Sequence, residues 1–119
     1  MKAKKGSLNP STVQEIPLAL SKENVKWLLK DIINGQSKYT HFDFAEWCYR
    51  QMAPIIQQDI ELEDIGIESD VWEVICDVDA QWELFLVNTL PHQELIRADF
   101  SQVRLPLDWF SSWYKKLEK

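Results

Sequence analysis

From Asp59 to Glu83 the chain places ten carboxylates and not one lysine or arginine. Like charges at this density repel, so a compact state tolerates them only in water or beside cations. Ile60, Leu62, Ile65 and Ile67 are interleaved with the first of these acids and are expected to clip Gln57–Ser69 onto a core. The acids themselves have two uses. They can form a solvated face that keeps the protein soluble. They can also form a decoy surface that captures a strongly basic partner.

The second half of the stretch admits two patterns. As a helix over 70–90, capped by Ser69 or Asp70, it places Val71, Ile75, Val78, Trp82, Phe85, Leu86 and Thr89 on one side. As a hairpin over 71–88, Trp72, Val74, Cys76 and Val78 alternate, then Trp82, Leu84 and Leu86. The hairpin link Asp79-Ala80-Gln81 lacks the Gly or Asn that a tight turn needs, which favours the helix.

Three further helices are expected. Lys22–Asn34 has Ser21 as its cap, Gly35 as its stop, and Val25, Leu28, Leu29, Ile32 and Ile33 as a buried stripe. Lys22, Lys26 and Lys30 line another face, expected to meet solvent, with docking on the acidic stretch as the alternative. His41–Ala53 opens on a Thr40/Asp43 capping pair; Phe44, Ala45, Cys48 and Met52 share one face, Phe42 and Tyr49 the next, and Pro54 ends or kinks the helix. Residues 106–117 start at Pro106, with Leu107, Phe110, Trp113, Tyr114 and Leu117 as the buried stripe. The expected fold is all-α, a four-helix bundle in a single domain over 21–119. Residues 1–20 form a partly disordered lead-in, where Val13, Ile16, Leu18 and Leu20 pack as extended chain because Pro17 forbids a regular helix. With 119 residues, 45% of them hydrophobic, such a domain can bury a core without metals or disulfides.

Charge excludes several function classes. The net charge is −6, and residues 41–100 carry fourteen acids against two arginines. Phosphate backbones and anionic membranes both select Lys and Arg, so neither nucleic acid nor membrane is an expected direct ligand. There is no signal-peptide pattern and no apolar run long enough to span a bilayer. Cys48 and Cys76 then read as reduced thiols, and the expected compartment is the cytoplasm.

No catalytic motif competes. Asp59, Glu61, Glu63 and Asp70 fall at positions 1, 3, 5 and 12 of a calcium loop, but Asp64 occupies the place that needs glycine. His41, Cys48, Cys76 and His92 contain no close-spaced zinc-ligand pair. His41 and Cys48 on one helix stand about 10 Å apart along the axis, too far for a nucleophile and its base. No cofactor or metal is expected, and the chain does not read as an enzyme. Trp72 is the aromatic residue off the buried stripes that lies among carboxylates: on a helix it aligns with Cys76, Asp79 and Glu83. Interface hot spots favour tryptophan, so the expected partner-binding residues are Glu61, Glu63, Asp64, Glu68, Trp72, Glu73, Asp77, Asp79 and Glu83. Trp27 and Trp109, also off the stripes, read as contact or partial-core residues.

The order of Leu28-Leu29-Lys30-Asp31-Ile32-Ile33-Asn34-Gly35, Phe42-Asp43-Phe44, Trp82-Glu83-Leu84-Phe85, and Val103-Arg104-Leu105 leading into Trp109–Leu117 resembles the bacterial toxin-immunity proteins of the colicin D immunity type. The segment Gln57–Asp70 departs from that pattern. The resemblance implies a four-helix bundle that neutralises a nuclease toxin, an RNase being one form, by filling its basic cleft with an acidic surface. An adaptor or regulatory module that binds a basic protein segment is the alternative that the same surface permits.

Overall fold

The computed structural model describes residues 13–90 and 100–118. The lysines of the first twelve residues, the helix stop at Pro91, and His92 lie outside them. Among the described residues every regular element is helical: α1 (Lys22–Ile33), α2 (His41–Gln57), a short α3 (Leu62–Ile65), α4 (Ser69–Thr89), a 3-10 turn (Phe100–Gln102) and α5 (Leu107–Leu117). The hairpin at 71–88 is thereby replaced by one continuous helix.

Local chemistry accounts for most of the helix ends. The Ser21 hydroxyl accepts from the Asn24 N–H at 3.1 Å, and Gly35 leaves α1 at φ +71°, a conformation that disfavours side chains. Thr40 and Asp43 form a full capping box. The Asp43 N–H donates to the Thr40 hydroxyl at 3.0 Å, and the Thr40 N–H donates to the Asp43 carboxylate at 2.9 Å. The start of α4 differs from expectation: neither Ser69 nor Asp70 caps it. Its cap residue is Glu68, without a side-chain bond, and Lys22 of α1 holds the end by reaching Asp70 at 2.9 Å and Glu68 at 3.4 Å. One lysine of the basic stripe therefore docks on the acidic stretch instead of facing solvent. Lys26 also finds a partner, Glu118 at 3.2 Å, and sits over the Tyr114 ring.

Helix α2 passes the end expected at Ala53 and runs through Pro54 to Gln57. Proline removes the N–H that would bond to the Arg50 carbonyl. Both residues lie on the exposed side, where water can meet the orphaned group, and buried Ile55 holds the last turn to the core.

In the bundle, α1 packs along α5, α2 packs along α4, and α4 also touches α5. One apolar core joins them, with Val25, Leu29, Cys48, Val74, Ile75, Val78 and Phe110 wholly buried. Burying such side chains contributes about 1.5–3 kcal/mol each before chain entropy is set against it. Aromatic residues fill the junctions. Phe42 stacks on Trp82 at 5.6 Å between centroids, and Phe110 meets Trp113 edge-on at 5.2 Å. The lead-in from Val13 to Leu20 is extended and packs on this core through Ile16, while the Trp47 indole donates to the Leu18 carbonyl at 3.1 Å.

Three stripe assignments change. Thr89 and Leu107 are exposed, because each sits in a terminal turn beyond the facing helix, whereas Val74 joins the core. Of the four residues expected to clip the acidic connection, Ile67 packs against the core, Ile60 and Leu62 are half-buried and Ile65 is exposed.

Candidate partner-binding surface

Folding distributes the acidic stretch over three places. Glu61, Glu63 and Asp64 are exposed on and beside α3, at the end of the bundle where α2 hands over to α4. Gly66, at φ +71°, closes that short helix. Glu68 stands at the start of α4 with Lys22. The remainder lies along α4, whose helical phase sorts it into separate faces.

Asp77 faces α5. Its carboxylate accepts from the Trp113 indole at 2.7 Å and from Gln81 at 3.4 Å, so it satisfies the polar atom of a buried tryptophan. Glu73 points outward and is exposed. Trp72, Asp79 and Glu83 lie on the opposite flank, along the seam with α2. There Asp79 is half-buried, and its pKa is raised by burial first, then by Glu83 and by Glu46 of α2. Glu46 is held by Arg50 at 3.4 Å, but among the described residues no cation pairs with Asp79 or Glu83.

This arrangement carries a stability prediction. A carboxyl whose folded pKa is raised binds its proton more tightly in the native state, so its ionised form weakens the fold. Asp79→Asn should therefore raise Tm at neutral pH. The gain should shrink as pH falls through the raised pKa and vanish below the ordinary aspartate range, where wild type is itself protonated. Thermal melts at neutral and acid pH check this.

Trp72 is half-buried against the core rather than free in solvent. Beside it on the seam the structure exposes two α2 side chains that the residue pattern had not assigned to a site, Tyr49 at 44% and Ile56 at 58%. Phe42, Tyr49 and Ile56 recur every seventh residue, which is one stripe of a helix. The stripe was partly legible: Phe42 and Tyr49 share a face and Ile55 and Ile56 continue the apolar surface past Pro54, but with α2 ending at Ala53 the helical phase that aligns Ile56 with Tyr49 was missing. Trp27 of α1 is exposed, and Trp109 packs edge-on against Phe85 at 5.8 Å.

The remaining titratable groups serve the fold. His41 is buried, and its Nδ1 accepts the Leu105 N–H at 2.8 Å. Burial, helped by Arg104, lowers its pKa to about 4, so the ring is neutral at physiological pH. Cys48 is wholly buried, and burial pushes its thiol pKa well up; Cys76 is half-buried and raised for the same reason, with Asp79 adding to it. Neither is the low-pKa thiolate that nucleophilic chemistry requires. Among the described residues no group of three or more His, Cys, Asp or Glu side chains could hold a metal ion, and no helix is long and apolar enough to cross a membrane. A cleft of about 380 Å³ opens between Leu20–Lys26 and Ile65–Val71. Its lysines are already engaged, Lys22 by two carboxylates and Lys26 by Glu118, so neither is free to orient a small anion.

Compared with family models, with curated proteins and with solved structures, the chain matches none.

Proposed function

We propose that this protein is a stoichiometric inhibitor that binds a basic nuclease toxin and blocks its active cleft, as an immunity protein does. One observation carries the reading. Of the ten acids from Asp59 to Glu83, seven are exposed, and among the described residues the cation that reaches the stretch is Lys22. The field of the others is left for something outside the chain. A nuclease cleft is cationic because it binds phosphates, so it matches such a surface in sign. Complementary fields steer encounter and raise association rates by roughly 10–10³.

The two kinds of residue should act on different rate constants. Glu61, Glu63 and Asp64 project from the bundle end and act at a distance. Neutralising them should slow association at low salt and leave dissociation almost unchanged. Trp72 already packs against the core, so a partner that covers its remaining exposed part meets a rigid aromatic. Trp72→Ala should weaken binding by about 2 kcal/mol, roughly thirtyfold, through the dissociation rate. The measurement is binding kinetics at two salt concentrations against a basic nuclease, sought first among the products of genes adjoining this one, with circular dichroism to confirm that each variant folds. Equal on-rates and equal salt dependence for wild type and the Glu61/Glu63/Asp64 variant would reduce the acids to a solubilising face.

A further inference from the structure

The α2–α4 register is fixed by independent observations. Phe42 stacks on Trp82, Glu46 acts on Asp79, and Cys76 acts on Cys48, so the residue numbers of facing positions add to a nearly constant value in an antiparallel pair. On that register Tyr49 stands level with the turn between Trp72 and Cys76, and Ile56 lies about 10 Å further along α2. Among the described residues the stripe Phe42–Tyr49–Ile56 is covered at its Phe42 end, where Trp82 stacks on Phe42 and Phe100 meets it edge-on at 5.5 Å. Tyr49 and Ile56 are left open. At the covered end the seam finishes in Asp79 and Glu83, neither of which pairs with a cation among the described residues.

We infer that the open seam of α2 and α4 is the docking groove for one amphipathic basic segment of a protein partner, which lays apolar side chains on Tyr49, Ile56 and Trp72 and sets a Lys or Arg against Asp79 and Glu83. The inference rests on the inhibitor reading for its biological meaning and adds to it where and how the partner is gripped. Charge complementarity selects this occupant. A second copy of the chain would bring Asp79 and Glu83 of both molecules onto one acidic face, and like charges across an interface oppose pairing. An uncharged apolar segment would leave the half-buried Asp79 carboxylate covered and unpaired, a costly state. A basic segment relieves the repulsion between Asp79 and Glu83 as it binds. The apolar run from Tyr49 to Ile56 accepts a helix of two to three turns in the usual helix-in-groove manner.

Cys76 is a built-in reporter, since it lies on the seam half-exposed while Cys48 is wholly buried. The probe is a synthetic helical peptide with leucines on one face and Lys/Arg beside them, compared with a peptide of equal charge in which the leucines are serines. Alkylation of Cys76 is followed by mass spectrometry at alkaline pH. The leucine peptide should slow it about fivefold or more at saturation, and the serine peptide should protect at least about tenfold less tightly. Tyr49→Ser and Ile56→Ser, both at exposed positions, should weaken protection about tenfold while leaving the circular dichroism unchanged. Equal protection by the two peptides, no protection by the leucine peptide, or wild-type protection in Tyr49→Ser overturns the seam assignment. Inhibition of a basic nuclease is scored separately. If it survives Tyr49→Ser the seam fails and the inhibitor reading stands; if no nuclease is inhibited while the seam still binds, the inhibitor reading fails alone.

Discussion

Asp43→Ala is expected to lower the unfolding free energy by about 3 kcal/mol or more. Asp43 is 1% exposed. Its carboxylate accepts three hydrogen bonds: from the Thr40 N–H at 2.9 Å, the Gln14 N–H at 2.8 Å and the Gln14 side-chain amide at 3.3 Å. Two functions meet in one side chain, since it closes the capping box of α2 and ties down the extended lead-in. Losing a cap costs typically about 1 kcal/mol, and bonds to a charged acceptor contribute about 1.5–3 kcal/mol each. The values do not add, because a released lead-in would take its donors into water. That release would also expose Ile16, which is buried only while the lead-in lies on the bundle. Asp43→Asn keeps one acceptor oxygen and should recover about half of the loss. Urea unfolding of the three proteins reads this, and a smaller slope in the alanine variant would mark a lead-in already detached.

The second large effect is acid sensitivity set by His41. Its folded pKa is about 4 against an ordinary value of 6.5. Between those two values the unfolded chain holds a proton that the native state refuses, so stability falls as pH falls through that window. At 1.36 kcal/mol per unit the total is about 2–4 kcal/mol. The structural cause is specific: Nδ1 accepts the Leu105 N–H, so the ring proton sits on Nε2, and a second proton on Nδ1 would break that bond and turn two donors on each other. The ring also lies 4.6 Å from the Phe110 ring in a buried junction where a cation has no water. His41→Gln should lose stability at neutral pH and flatten the slope below it. Urea midpoints of both proteins across the window check this. A wild-type slope no steeper than that of the glutamine variant would show that His41 does not control the transition. Relief of repulsion among the surface carboxylates acts in the opposite direction on both proteins, so the comparison isolates the histidine.

The three helices with ordinary start and stop chemistry were legible. Ser21 and Gly35 bracket α1, Thr40 and Asp43 open α2, and Pro106 opens α5, each through bonds or φ angles set by residues a few positions apart. Helix α4 was legible from its apolar period and from the lack of a turn at Asp79-Ala80-Gln81, although its start was not, because Lys22 replaces a local cap with a contact from another helix. The passage through Pro54 was also hidden. Whether a proline ends a helix depends on what holds the next turn, and Ile55 is held by the core.

For the candidate site the division follows the range of the interaction. Spacing along one helix was enough to group Trp72 with Asp79 and Glu83, because a period of 3.6 residues belongs to the chain itself. The same spacing could not separate Asp77 from them by role, since its partner, the Trp113 indole, is thirty-six residues away. Nor could it bring Tyr49 and Ile56 to the same seam, which needs the register of two helices. The sequence by itself determined the helical class, the acidity of the middle of the chain and the local caps, all of which depend on neighbours within about one turn. Only the tertiary structure decided which carboxylates hold the bundle together and which, among the described residues, stay without an ion pair. That choice is made by side chains distant in sequence, and a carboxylate has the same chemistry whether or not a lysine or an indole arrives beside it.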